Sequence, residues 1–272
     1  MNQKTFSVQI DLQNVLVRSL TDMRNKARLA SLGLAHAGDW LNAVPSPVLG
    51  LHVRPQEFRY SIMYRLGAPL YSVSGPCPAC HKQSDKYGDH ALACGSDGER
   101  IARHNHLRDV LYGVASSANL APRKEEQALL PGTNAKPADV LIPHWSGGRD
   151  TALDVTVVSP LLPNRLAKSV EKPGYTLTQA FNDKCRNTLQ ACQSEGIAFI
   201  PLPVETLGGW HEKAVDQIKK LARAMARCTG KEEMEETRHL FQKLGVLLVR
   251  GNAAMFINRI PSHPLPTIDG EE

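Results

Sequence analysis

The chain has no apolar run near the roughly 18 residues that a membrane-spanning helix needs. Met1-Asn2-Gln3-Lys4-Thr5 leads into mixed polar sequence rather than the apolar stretch of a signal peptide. A protein that works inside the cell, with no membrane partner, is therefore expected. A disulfide framework is lacking too: Cys185, Cys192 and Cys228 are scattered through helix-like sequence, which fits a reducing compartment. There is no internal repeat and no low-complexity tract. Nor is there a large excess of charge of one sign. The 32 Lys plus Arg against 27 Asp plus Glu leave a net charge of +5 over 272 residues, which permits a polyanionic partner without demanding one. With 42% hydrophobic and 22% charged residues the chain can bury a core, as one large or two modest domains.

Three of the cysteines do cluster. Cys77, Cys80 and Cys94 with His90 read C-x2-C-x9-H-x3-C. The first pair lies in Pro76-Cys77-Pro78-Ala79-Cys80, which suits a tight knuckle, and His90 and Cys94 can project from one helical face. Three thiolates and an imidazole make a donor set for tetrahedral zinc, with His81 as a competing ligand.

Two acidic residues occupy short β-like runs farther on. Pro137-Ala138-Asp139 opens Val140-Leu141-Ile142, and Asp154 sits inside Ala152-Leu153-Asp154-Val155-Thr156-Val157-Val158. Ser146-Gly147-Gly148-Arg149-Asp150 lies between them as a turn, so a hairpin is expected. Antiparallel pairing would bring the two carboxylates together. Hard divalent cations take one or two carboxylates plus water and phosphate oxygens, the arrangement a phosphodiester-cutting enzyme needs. The alternative is a pair of solvent-facing turn or edge-strand aspartates.

Helical spacing marks 9–35 (Leu12, Val15, Leu16, Leu20) and 56–66, interrupted by Pro45, Pro47 and Pro55, so residues 1–70 read as a helical region. The knuckle occupies 71–98. From Arg100 to about Leu120 a helix is expected, with Ile101, Leu107, Val110, Leu111 and Val114 as its apolar stripe. Its polar face carries Arg100, Arg103, His104 and Arg108, either solvated or tracking phosphates. Strand-like runs near 123–130, 138–145 and 151–158, a helix from about Leu177 to Ser194 and a strand at 197–202 predict an α/β fold over 99–206, a small mixed sheet flanked by helices. Helices over 207–260 are expected to cover the sheet or cap the domain, and 261–272 reads as a disordered tail.

Taken in order, the knuckle, Arg103-His104-Asn105, Lys136-Pro137-Ala138-Asp139-Val140 and Leu153-Asp154-Val155-Thr156-Val157 resemble the C-terminal part of non-LTR retrotransposon proteins. In that family a CCHC knuckle and an Arg-His-Asn helix precede a restriction-like, PD-(D/E)xK-type endonuclease. The likeness covers residues 75–206, and the order of the motifs carries it rather than any single one.

The resemblance implies a restriction-endonuclease-like core, structural Zn²⁺ on Cys77, Cys80, His90 and Cys94, and catalytic Mg²⁺ or Mn²⁺ on Asp139 and Asp154. It implies DNA as partner, with element RNA as a second, a nuclear setting, and Arg103, His104 and Asn105 positioning the DNA backbone. The simplest form of the motif puts a lysine where this chain has Thr156, whose hydroxyl cannot supply a positive charge. The retrotransposon nucleases deliver the lysine from the next helix on a pattern L-x2-A-x3-K, which Leu177-Thr178-Gln179-Ala180-Phe181-Asn182-Asp183-Lys184 matches. Lys184 is thus the expected catalytic lysine, with Lys168 and Lys172 as substitutes and Glu126, ahead of Glu125, as a further acid. The chain departs from the family in an insertion around 161–175 and in Asn187 and Thr188, where a second lysine and a tyrosine are usual. No Asp-Asp pair of a polymerase site occurs. The expected activity is DNA nicking without the polymerase; the alternative is a zinc-containing nucleic-acid-binding module whose catalytic site has decayed.

Overall fold

The computed structural model describes residues 20–126, 129–130 and 137–260; the helical spacing at 9–19, residues 127–128 of the first strand-like run and the tail 261–272 lie outside them. Asp22 caps α1 (Met23–Leu32) by accepting from the Arg24 and Asn25 N–H groups. Helix α2 (Pro55–Leu66) starts on a proline, whose missing N–H costs nothing in a first turn, and ends at the left-handed Gly67. Gly75–Pro76 (β1) and Gln83–Ser84 (β2) pair as a minimal hairpin around the first two cysteines, and α3 (Asp89–Ala93) carries His90.

Helix α4 (Glu99–Ser117) is more enclosed than its sequence suggests. Leu107 and Leu111 are buried as expected, but Arg103 and Arg108 are buried as well, whereas Ile101, assigned to the apolar stripe, is 65% exposed. Arg103 and Arg108 are covered because the two C-terminal helices and the sheet pack on this helix, while Arg100 stays exposed.

The sheet has the order β3-β4-β5-β6. The expected strand near 123–130 shortens to β3 (Arg123–Lys124). Strands β4 (Val140–Ser146) and β5 (Arg149–Val158) form the antiparallel hairpin, with Val140 opposite Leu153 and Ile142 opposite Thr151. Gly147 and Gly148 make its turn at φ 60 and 72, a region that favours glycine. After α5 (Leu166–Glu171) and α6 (Tyr175–Ser194), β6 (Ala198–Glu205) joins β5 in parallel. As the last strand in the order β6 tolerates Pro201 and Pro203: alternate residues point their backbone nitrogens to the same side, here away from β5. Helices α7 (Glu212–Thr229) and α8 (Glu233–Ile257) complete an α/β architecture with a mixed sheet, the class the sequence predicts.

Period-two alternation divides the sheet between two cores. Val140, Ile142, Leu153, Val155, Leu202 and Val204 face α4, α7 and α8, whereas Leu141, Ala152 and Phe199 face Cys192 of α6. Asp139 and Asp154 share parity with Leu141 and Ala152, so both carboxylates belong to the α6 face. A separate cluster joins Ala27 of α1, Tyr64 of α2, Leu92 of the knuckle and Phe256 of α8. Among the described residues α8 is the one helix long and apolar enough to cross a membrane; 67% of its apolar window is buried inside the fold, as in a core helix.

Candidate metal and catalytic sites

The knuckle brings one ligand atom each of Cys77, Cys80, His90 and Cys94 within 4.8 Å of one another. Local hydrogen bonding explains it. Cys77 N–H donates to Lys82 O at 2.8 Å and His81 N–H to Cys77 O at 2.8 Å, closing the turn so that both thiols point inward. Asp85 accepts from the N–H groups of Tyr87, Asp89 and His90 at 2.8, 3.1 and 2.7 Å, which caps α3 and aims His90. His90 Nε2 lies 3.2 Å from Cys80 Sγ. Burial opposes ionisation of the Cys94 thiol, but hydrogen bonds from Arg259 and Ser96 outweigh it and bring the pKa down to about 6. A thiolate at neutral pH is what a soft divalent metal needs, so this Cys3His cluster suits an ion such as zinc. His81 does not join it.

Arg259 was not legible in the sequence. It closes α8 and, fully buried, donates to Met255 O at 3.2 Å and Ser96 O at 3.0 Å and pairs with Glu99 at 2.5 Å. On the opposite flank Arg24 of α1 forks onto Asp89, Nε to Oδ2 at 2.5 Å and Nη2 to Oδ1 at 2.9 Å. The knuckle is thereby fastened to both the N-terminal and the C-terminal helices.

The second site lies at the mouth of the β4–β5 hairpin. Asp139 N–H donates to Leu153 O at 2.9 Å, the last backbone rung between the β4 segment and β5. Val155 N–H then has no β4 partner, and Asp139 Oδ2 accepts from it at 2.6 Å. The other carboxylate oxygen, Oδ1, lies 2.9 Å from His104 Nε2; because a carboxylate only accepts, the imidazole proton is assigned to Nε2. Asp154 is 9% exposed and its Oδ2 accepts from Lys184 Nζ at 2.7 Å. Burial raises its pKa, the Lys184 charge and hydrogen bond pull it back, the Asp139 charge adds to the rise, and the net value is about 6.

Lys184 reaches this point because Leu177, Lys184 and Cys192 fall two turns apart on one face of α6, on which Leu177 and Cys192 are buried. Lys168 instead stands 5.3 Å over the Tyr175 ring, and Lys172 is exposed. Thr156, two residues beyond Asp154, has a buried hydroxyl without a hydrogen-bond partner.

Other expected site residues lie elsewhere. Glu126 pairs with Arg123 at 3.3 Å and has no bond to either aspartate among the described residues, while Glu125 pairs with Arg108. Arg103, expected on a DNA backbone, is 3% exposed and donates to Asn252 Oδ1 at 2.7 Å. Desolvation lowers its pKa to about 10. Its stem fits only because residue 251 is glycine: a Cβ there would lie 2.7 Å from Arg103 Cγ. Arg103 is thus an interior brace between α4 and α8, out of reach of a phosphate. His104, expected beside it on DNA, meets Asp139 instead, and Asn105 is half-buried.

No protein-family model and no curated protein matches this chain.

Proposed function

We propose that the protein is a divalent-cation-dependent DNA endonuclease that nicks its target, related to the restriction-like nucleases of non-LTR retrotransposons that its motifs resemble. The observation that supports this most is the placement at one sheet mouth of Asp139, just before β4 and bonded to Val155 N–H, and of Asp154 on β5, which pairs with Lys184 of α6 and feels the Asp139 charge. Two carboxylates of one sheet face, one of them kept reluctant to ionise by burial, fit an exchangeable Mg²⁺ or Mn²⁺. Such an ion, when bound, polarises a phosphodiester and acidifies a nearby water. Asp139 and Asp154 supply the anionic oxygens, and Lys184 holds a positive charge beside them, where it offsets the charge that builds on phosphate. The knuckle is a structural zinc site that fixes the start of α4, the helix that carries His104.

The test is nicking of supercoiled plasmid by zinc-loaded protein with Mn²⁺ or Mg²⁺. Asp139→Ala and Asp154→Ala are expected to lower the rate by more than about 100-fold with zinc content and a cooperative fold retained. Wild-type activity should rise with pH through about 6 as Asp154 ionises. Wild-type protein that shifts DNA in a salt-dependent manner but never nicks it would overturn the enzyme in favour of the binding module.

A further inference from the structure

His104 is half-buried on α4, on the side of the sheet opposite α6, yet its imidazole reaches past the sheet's end to Asp139 Oδ1 at 2.9 Å. With Val155 N–H on Oδ2 at 2.6 Å, the carboxylate is gripped by one donor on each oxygen. A carboxylate oxygen has two lone pairs, so each keeps one free while the plane of the group is fixed. Arg103 and Arg108, its neighbours on α4, are turned to Asn252 and to Asp109 and Glu125. They leave His104 as the one cationic or donor side chain of α4 bonded to Asp139 among the described residues.

We infer that His104 is a positioning residue: it holds Asp139 in the orientation in which that carboxylate accepts a divalent cation, and it reads the DNA backbone neither directly nor through Arg103. This deepens the nuclease reading and rests on it for the identity of the ion. A second donor on a ligating carboxylate typically accounts for about 10–100-fold in metal affinity. The size is understandable, because a freed Asp139 would sample several rotamers and the cation would have to select one.

The test compares His104→Gln, whose amide keeps a donor near the position of Nε2, with His104→Met, which keeps bulk and loses the donor. Free Mn²⁺ is titrated by electron paramagnetic resonance with zinc-loaded protein, so that no cleavage is needed, and zinc content and melting temperature are measured alongside. His104→Met is expected to weaken Mn²⁺ binding by about 10–100-fold. His104→Gln should stay close to wild type, and the nicking rate at saturating Mn²⁺ should be nearly equal in all three. Equal losses in the two variants, or no loss in His104→Met, would overturn the role. So would unchanged Mn²⁺ affinity with a lower rate at saturating metal, which would put His104 in contact with the reacting atoms. Should the wild-type protein bind Mn²⁺ without nicking, the nuclease reading fails while the contrast between the two variants still decides the role of His104.

Discussion

The knuckle and the carboxylate mouth are built on opposite plans. The knuckle's ligands come from one short stretch of chain, and its four ligand atoms lie together within 4.8 Å, the one such group of His, Cys, Asp and Glu among the described residues. Asp85 aims the imidazole, and Arg259 favours the Cys94 thiolate. The mouth takes His104, Asp139, Asp154 and Lys184 from α4, the approach to β4, β5 and α6, and burial makes one of its charges unfavourable rather than favourable. A site with preformed, ionised donors holds its ion and becomes part of the fold. A site whose carboxylates are already held by Lys184 and by hydrogen-bond donors can let an ion come and go.

The largest effect that would break this contrast lies in the knuckle. Because it is tied to α1 through Arg24–Asp89 and to α8 through Arg259, stripping zinc should unsettle both ends of the fold. Chelation, or Cys94→Ser, is expected to lower the melting temperature by about 10 °C or more, measured by calorimetry with and without added zinc. An unchanged melting temperature after zinc is shown to be gone would reduce the knuckle to an ornament.

The two sites also differ in how far the sequence reveals them. The knuckle was legible because metal ligation imposes spacing on nearby residues, and Lys184 because Leu177 to Lys184 matches the L-x2-A-x3-K pattern of the family the chain resembles. The hairpin was legible in valine alternation and two glycines. Arg103 was not: an arginine on a helix reads as solvated, and the space that hides it exists only because Gly251, far along the chain, has no side chain. The partnership of His104 with Asp139 was hidden for the same reason, since it joins residues from opposite faces of the sheet. Asp85 left a readable trace, an acid just before a short helix; Arg259 left none, as its partners are backbone carbonyls and acids brought close only by the packed α8.

A smaller effect tests the claim that the mouth gives up stability. Asp154 has a folded pKa of about 6, above the ordinary aspartate value of 3.8. A raised folded pKa means that its favourable contribution is fully present below about pH 4 and is lost as pH rises through 6. Asp154→Asn, which mimics the protonated acid, should therefore melt roughly 3–6 °C above wild type at pH 8 in the absence of divalent ions. The gap should narrow through pH 6 and vanish near pH 4. A variant less stable than wild type at pH 8 would show that the Lys184 pair outweighs the burial of the charge.

The smallest effect concerns Thr156, whose orphaned hydroxyl lies on the same strand face as Asp154. A buried hydroxyl without a partner costs about 1 kcal/mol or more, and valine is nearly isosteric and suits a strand. Thr156→Val should therefore raise the melting temperature by about 2–4 °C in metal-free buffer. The variant sharpens the contrast between the sites when the measurement is repeated in Mn²⁺: a hydroxyl that merely fills space leaves the gain intact. If the gain disappears in Mn²⁺, the hydroxyl contributes to holding the ion or its water, and Thr156 joins Asp154 as a group that lowers the stability of the empty fold and serves the ion.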